Sequence, residues 1–312
     1  EAEAVVATAR RLKRKLVLGY ILRVHPSWEK FIEIGKSMGK PLVMRLNLNQ
    51  QSSGDAWFWH KNLIDSLIPI VDCGVHYIDV MCQMTRSKPM RVSAIGARMT
   101  EDIPAGNYNY GQLQIHFEDG SVGWYEAGWG PMVSQNAYFV KDVFGPKGSV
   151  SIVAKNAGGE GKSDDVESHT KTESLRVHHA DIDAKNEFTK EDEWVNLTDE
   201  PDHQGLCDRE QAYFLRAIQD SGQAAALVGV ASVAGWRGMP GNGAYCASKA
   251  GLIAYLQSLR AELRPSRITV HTISPGYLRT ALTAGNTFAM PGLLEPDAAA
   301  HALLQGVAQG RE

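Results

Sequence analysis

The strongest constraint on the fold of this 312-residue chain is a change of strand pattern near residue 220. Upstream, short segments alternate apolar and polar residues: Met90–Ala97, Tyr110–Phe117, Val122–Trp129, Ala137–Phe144 and Lys147–Val153. The turn Glu118-Asp119-Gly120-Ser121 joins two of them. A period of two with short turns predicts antiparallel strands, one face buried and one wet. Downstream, Ala225–Ala231 is a continuous apolar segment, Ala244–Leu263 reads as a long helix, and Ile268–Ile273 is a second apolar strand before the Pro275-Gly276 turn. Strand, helix, strand is the order of a parallel pair with a helical crossover. The expected fold class is α/β: an α+β part with a mainly antiparallel sheet, flanked by partial α/β pieces.

The remaining segments fill in the first part. Residues 1–15 read as a helix with Val5, Val6, Ala9 and Leu12 on one face, and Leu16–Leu22 as an apolar strand. Ser27 is placed to cap a helix over Trp28–Met38, with Gly35 a weak point inside it. Leu42, Met44, Leu46 and Leu48 share one face of a strand over Pro41–Asn49. Pro69 opens a helix to Met84. Ser174–His179 and Glu193–Leu197 are short strands, and Asp208–Asp220 is a helix.

Charge follows the same seam. Residues 221–312 carry 7 Lys and Arg against 4 acids, while the remainder carries 25 against 31, so the parts are +3 and −6. The slightly acidic total of −3 argues against nucleic acid or an anionic membrane surface as partner. No apolar run reaches the roughly 18 residues of a membrane span. The cysteines at 73, 82, 207 and 246 form no C-x-x-C and no regular framework, so a reducing, cytoplasmic compartment is expected. The chain opens on Glu1 and reads as a piece of a longer one.

The sharpest chemistry is in the tail. Tyr245 and Lys249 are four apart on a helix and share a face, and Ser232 ends the preceding strand thirteen residues before the tyrosine. A phenol serves as acid or base when a neighbouring ammonium stabilises the phenolate, and a serine hydroxyl holds a carbonyl. The context Ala231-Ser232-Val233-Ala234-Gly235, Ala244-Tyr245-Cys246-Ala247-Ser248-Lys249 and Ile273-Ser274-Pro275-Gly276 with Thr280 resembles the C-terminal half of a short-chain dehydrogenase/reductase over about 225–310. The resemblance implies Ser232, Tyr245 and Lys249 as catalytic residues, Lys249 also on the cofactor ribose, and Pro275, Gly276 and Thr280 on the nicotinamide side. The family's N-terminal half, with its Gly-rich phosphate turn, has no counterpart in this sequence.

A second set lies upstream. Asp72, His76 and Asp79 fall at i, i+4 and i+7, on one helix face. A carboxylate beside an imidazole orients and charges it for proton transfer. Asp72-Cys73-Gly74-Val75-His76-Tyr77-Ile78-Asp79 resembles the D-x-G-x-H-x-x-D helix of the glucose–fructose oxidoreductase/inositol dehydrogenase/MocA family, and Gly19–Pro26 its crossover into the substrate domain. Trp57-Phe58-Trp59 and Gly145-Pro146-Lys147-Gly148 fit more loosely. This resemblance covers about 1–220 and implies Asp72 and His76 as the catalytic pair and Arg23 as a cofactor contact. The family's dinucleotide-binding domain again has only its last helix and strand here.

The expected organisation is therefore 1–26, a dinucleotide-domain remnant; 27–220, a substrate domain; and 221–312, half of a second dinucleotide fold. Both resemblances imply NAD or NADP, a small-molecule substrate of sugar or polyol type, and hydride transfer on a hydroxyl or carbonyl. Weak cofactor binding is expected, because no Gly-rich pyrophosphate cradle stands at a helix start. Gly158–Ser163 only mimics such a loop, with Asn156 at its first glycine position, and Gly238, Gly241 and Gly243 do not spell the dinucleotide pattern. His178 and His179 point to opposite faces of a strand, so no metal is expected. Three readings stay open: a fragment of a working dehydrogenase, a fused chain without turnover, and a binding module that forms homo-oligomers through the exposed middle sheet.

Overall fold

A computed structural model describes residues 2–11, 16, 18–135, 139–153, 162–163, 169–220, 225–280, 283 and 288–310. It divides the chain into two compact units, Val17–Ala212 and a second made of Glu1–Leu16 with Tyr213–Glu312.

The Val17–Ala212 unit is built on an eight-stranded sheet: β1 (Val43–Gln51), β2 (Pro89–Ala97), β3 (Tyr110–Phe117), β4 (Val122–Gly130), β5 (Lys141–Gly145), β6 (Gly148–Val153), β7 (Ser174–His179) and β8 (Glu193–Asn196), in the order β2-β3-β4-β1-β5-β6-β7-β8. Only the β1/β4 pair is parallel; every other neighbouring pair is antiparallel. The alternation is realised as expected: Leu42, Met44, Leu46 and Leu48 are all buried, and so are Tyr125, Ala127 and Trp129 on β4. Helices α2 (Pro26–Ser37), α3 (Gly54–Ile64), α4 (Pro69–Asp72) and α5 (Gly74–Thr85) pack on the central strands, with Trp28 and Phe31 wholly enclosed. β2 is an edge strand exposed along its length, Met90, Val92 and Ile95 included.

The second unit holds α1 (Ala2–Arg11), the last turns of α6 (His203–Gln219), strands β9 (Ala225–Val230) and β10 (Ile268–Ile273), α7 (Gly243–Glu262) and α8 (Pro296–Ala308). β9 and β10 pair in parallel, and α7 is the crossover between them. Ile253, Leu256 and Leu259 of α7 are buried, the last two against Ile268 and Val270. The class is thus mixed α/β, with a large, mostly antiparallel sheet in one unit.

Several local expectations change. The segment Leu16–Leu22 is not a strand: Ile21–Val24 is a turn of 3-10 helix, and 18–20 is irregular. Short apolar runs fit either state, and Pro26 so close downstream leaves no room for a strand to pair. Ser27 is not the cap of α2; His25 is, and its Nδ1 accepts the Ser27 amide at 3.3 Å. Gly35 is where α2 meets Met84, whose sulfur would lie 3.2 Å from an added Cβ, so it is a point of contact. The helix expected over 69–84 is broken at Cys73 into α4 and α5. Of the strand expected over 137–144, residues 139–140 lie outside β5 and 137–138 outside the described residues; most of the Gly158–Ser163 loop also lies outside them.

Candidate functional site

The break at Cys73 places Asp72 at the end of α4 and His76 and Asp79 on the first turns of α5, on two helices where one was expected. His76 is half-buried, and its Nδ1 is enclosed with no hydrogen-bond partner among the described residues. Its ring meets the edge of Tyr20 at 5.9 Å. Burial lowers its pKa, opposed by the carboxylates of Asp72, Glu210 and Asp79, so the ring is neutral near pH 7. A neutral imidazole among carboxylates accepts a proton and is stabilised once it holds it. Asp79 is held by Arg23, whose Nε donates to Oδ2 at 2.7 Å, and by Gln83 Nε2 at 2.9 Å. The same guanidinium lies over the Tyr20 ring. Arg23 thus anchors α5 to the 3-10 turn. A shallow groove of about 340 Å3 opens between Tyr20, Ile70, Val75, Ile78 and Asp79, and neither Asp72 nor His76 lines it.

Two participants escaped sequence reasoning. Glu210 of α6 acts electrostatically on His76, and its Oε1 is buried without a partner among the described residues. It packs so closely on Gly19 that a Cβ there would collide with it. His60 of α3 senses the Asp72 charge from another side, and its ring stacks on Trp129 at 4.4 Å. The two tryptophans of the Trp57-Phe58-Trp59 run diverge: Trp57 is buried with Nε1 donating to Asp102 at 3.4 Å, and Trp59 is 69% exposed.

In the second unit, Lys249 joins α7 to the end of β9. Its Nζ donates to Val230 O at 3.4 Å, at the end of β9 two residues before Ser232, and lies 5.6 Å from the Tyr245 ring centre. Ser232 Oγ accepts the Ala234 amide at 3.2 Å and caps the 3-10 turn Val233–Gly235. Pro275 O accepts the Val233 amide at 3.1 Å, so the Pro275-Gly276 turn lies against the same strand end. Thr280 is bound to Thr283 through its amide at 3.0 Å. Tyr245 is half-exposed on the first turn of α7.

A Gly-rich turn joins β9 to α7: a Cβ at Gly238, Gly241 or Gly243 would meet no atom, and the helix opens with Tyr245 on its first turn. No group of three or more metal-ligating side chains occurs among the described residues; His178 pairs with Asp192 at 2.7 Å and His179 with Glu193 at 2.9 Å. All four cysteines are free, and no described helix is long and apolar enough to cross a membrane.

Comparison with known proteins matches two separate stretches of the chain to two families. Residues 33–151 match the family model of the GFO/IDH/MocA C-terminal domain, and residues 211–289 that of short chain dehydrogenase. The chain is 45% identical over 84 residues to an uncharacterized oxidoreductase of Myxococcus xanthus, covering 27% of this chain and 33% of that one. It is 46% identical over 57 residues to nodulation protein G of Rhizobium meliloti, covering 18% and 23%. Solved structures similar to it include UDP-N-acetylglucosamine 3-dehydrogenase GnnA from Acidithiobacillus ferrooxidans (18% identity, TM-score 0.47, 69% of this chain and 58% of that one). Another is aldose-aldose oxidoreductase from Caulobacter crescentus, with the same four values. The chain spans a third or less of these curated relatives and 58% of these solved chains.

Proposed function

We propose that this chain joins pieces of two NAD(P)-dependent oxidoreductases and serves hydride transfer on a hydroxyl or carbonyl substrate of sugar or polyol type. In this reading His76 takes or returns the substrate proton and Asp72 orients it. Arg23, by holding Asp79, fixes the helix that carries the imidazole. The dinucleotide, when bound, supplies the hydride chemistry. The observation that carries the proposal is the His76 environment: a half-buried imidazole whose Nδ1 is enclosed and unpartnered among the described residues and which feels the charges of Asp72, Glu210 and Asp79. Tyr245, Lys249 and Ser232 form a second proton-handling set, supported by the Lys249 bond to the β9 end and its place over the tyrosine ring. Pro275, Gly276 and Thr280 would then lie on the nicotinamide side.

We assign residues 1–26 to a dinucleotide-domain remnant, 27–220 to the substrate domain and 221–312 to the second half-fold. A dinucleotide gripped only at its ribose and ring is poorly positioned, and positioning is a large share of such catalysis. NAD or NADP binding by this chain alone is therefore expected to be weak and turnover slow. The unpaired cysteines suit a cytoplasmic location, and the open sheet face carrying Arg45, Trp124 and Phe144 suits a homo-oligomer. The deciding experiment is calorimetry with NAD(H) and NADP(H), followed by turnover on a panel of polyols and ketones. Clear turnover lost in His76→Ala or in Tyr245→Phe would overturn the weak-binding reading and identify the working set. Tight binding with no turnover on any substrate would overturn the assignment of chemistry.

A further inference from the structure

His60 is held in a way that decides which of its nitrogens carries hydrogen. Ser52 lies two residues before α3 and is wholly buried. Its Oγ lies 2.5 Å from His60 Nδ1, the sole partner of that hydroxyl among the described residues. A buried hydroxyl has one proton to give and leaves it ungiven only at a cost. Ser52 therefore donates and Nδ1 accepts. In a neutral ring the hydrogen must then sit on Nε2. Nε2 has no partner among the described residues and is not enclosed, so this N–H is open to a ligand. The ring plane is fixed as well, 11° from the plane of Trp129, which is itself buried.

The Trp129 ring on which His60 stacks belongs to β4, the strand on which α4 packs with Asp72 at its end, and the Asp72 charge reaches both His60 and His76. A substrate oxygen that gives up its proton to a base gains negative charge and needs a donor already in place. We propose that His60 is the residue that binds the substrate oxygen beside Asp72: a neutral imidazole donating from Nε2–H, with Ser52 fixing its tautomer and Trp129 its plane. The substrate class is a neutral polyol or ketose. The proposal rests on the reading of Asp72 and His76 as the reacting site, and it assigns the polar complement that the reading lacks.

The test uses the full chain labelled with 15N-histidine. Two-bond 1H–15N spectra at neutral pH should show His60 as the Nε2–H tautomer, and Ser52→Ala should abolish that preference. Titration with sorbitol and inositol should shift the His60 ring signals. His60→Gln, which keeps a side-chain N–H donor, should bind within about threefold of the parent, and His60→Leu about tenfold more weakly. An Nδ1–H tautomer in the parent, an unchanged tautomer in Ser52→Ala, no polyol-induced shift at His60, or equal binding by His60→Leu would each overturn the proposal. Failure of the dehydrogenase reading looks different: polyol binding and the tautomer persist while turnover is absent with every cofactor.

Discussion

Lys141 offers the sharpest test of the physical account of the Val17–Ala212 unit. It is 3% exposed on β5 and stands in register with Leu46, on the core side of the sheet. Its ammonium donates to His169 O at 2.6 Å and lies 5.2 and 5.0 Å from the ring centres of Trp28 and Phe139. Burial lowers its pKa from 10.5 to about 7, with only Glu200 opposing. His25 alongside is held neutral, its own pKa lowered to about 4 by burial and by Lys141 and Arg209. The folded pKa of Lys141 lies below the unfolded one, so between about pH 7 and 10.5 the unfolded chain binds a proton that the folded chain lacks, and stability rises with pH. The full penalty below pH 7 is about 5 kcal/mol, and about 2 kcal/mol of it is relieved between pH 7 and 9 once half-titration at pH 7 is included. Above about pH 9 the sign reverses. Cys73 and Tyr110 are both raised to about 12, and Tyr77 and Tyr125 are raised too, so these groups hold protons when folded that the unfolded chain releases. Urea unfolding at pH 7, 8 and 9, followed by tryptophan fluorescence, should show a rise of about 2 kcal/mol in the parent. Six of the seven tryptophans lie in this unit. Lys141→Met should remove the rise and be the more stable chain at pH 7. Equal slopes in parent and variant would refute the reasoning.

Three further outcomes follow from the geometry. Gly148→Ala should destabilise the unit by more than about 3 kcal/mol, because its φ is +142° and a Cβ would run into the His178 carbonyl across the β6/β7 ladder; a loss under about 1 kcal/mol in urea would contradict this. Glu210→Gln should lower the His76 pKa further, since removing the carboxylate leaves burial less opposed, and an unchanged proton NMR titration of the ring would show the two are uncoupled. Arg23→Met should cost about 2 kcal/mol by stranding the nearly enclosed Asp79 with Gln83 alone, and Arg23→Met with Asp79→Asn should recover part of that loss.

The central strands were legible because alternation carries its own check: β1, β4, β5, β6 and β7 each have an inside face that the structure buries, whereas the edge strands β2 and β8 bury none of their residues. The tail was legible for the complementary reason, since continuous apolar strands around a long helix leave few alternatives. Helix α3 was not. Phe58 and Trp59 beside Trp57 are 53% and 69% exposed, so its aromatics make no apolar stripe for a helical period to reveal. Lys141 could have been found: Phe139, Lys141 and Val143 share parity, which puts a charge where the alternation demands a core residue. Glu210 could not, because its role comes from α6 meeting the 19–20 segment, a contact separated by nearly two hundred residues.

The one-turn spacing of Asp72 and His76 survives although the helix expected over 69–84 is broken between them. Cys73 keeps right-handed helical angles, φ −80° and ψ −31°, so the chain turns on through the break and the two side chains stay about one turn apart. Gly74 supplies the other half of the explanation. The Tyr125 ring of β4 would stand 3.1 Å from a Cβ at that position, and Tyr125 stacks in turn on Tyr77 at 5.1 Å. A bare Cα lets the start of α5 rest on the sheet, and His76 two residues on is then held between Tyr20 and the carboxylates. The glycine in the D-x-G-x-H segment is thus a packing requirement with a chemical consequence: any side chain there would have to lift α5 from β4 by tenths of an ångström and carry the imidazole with it.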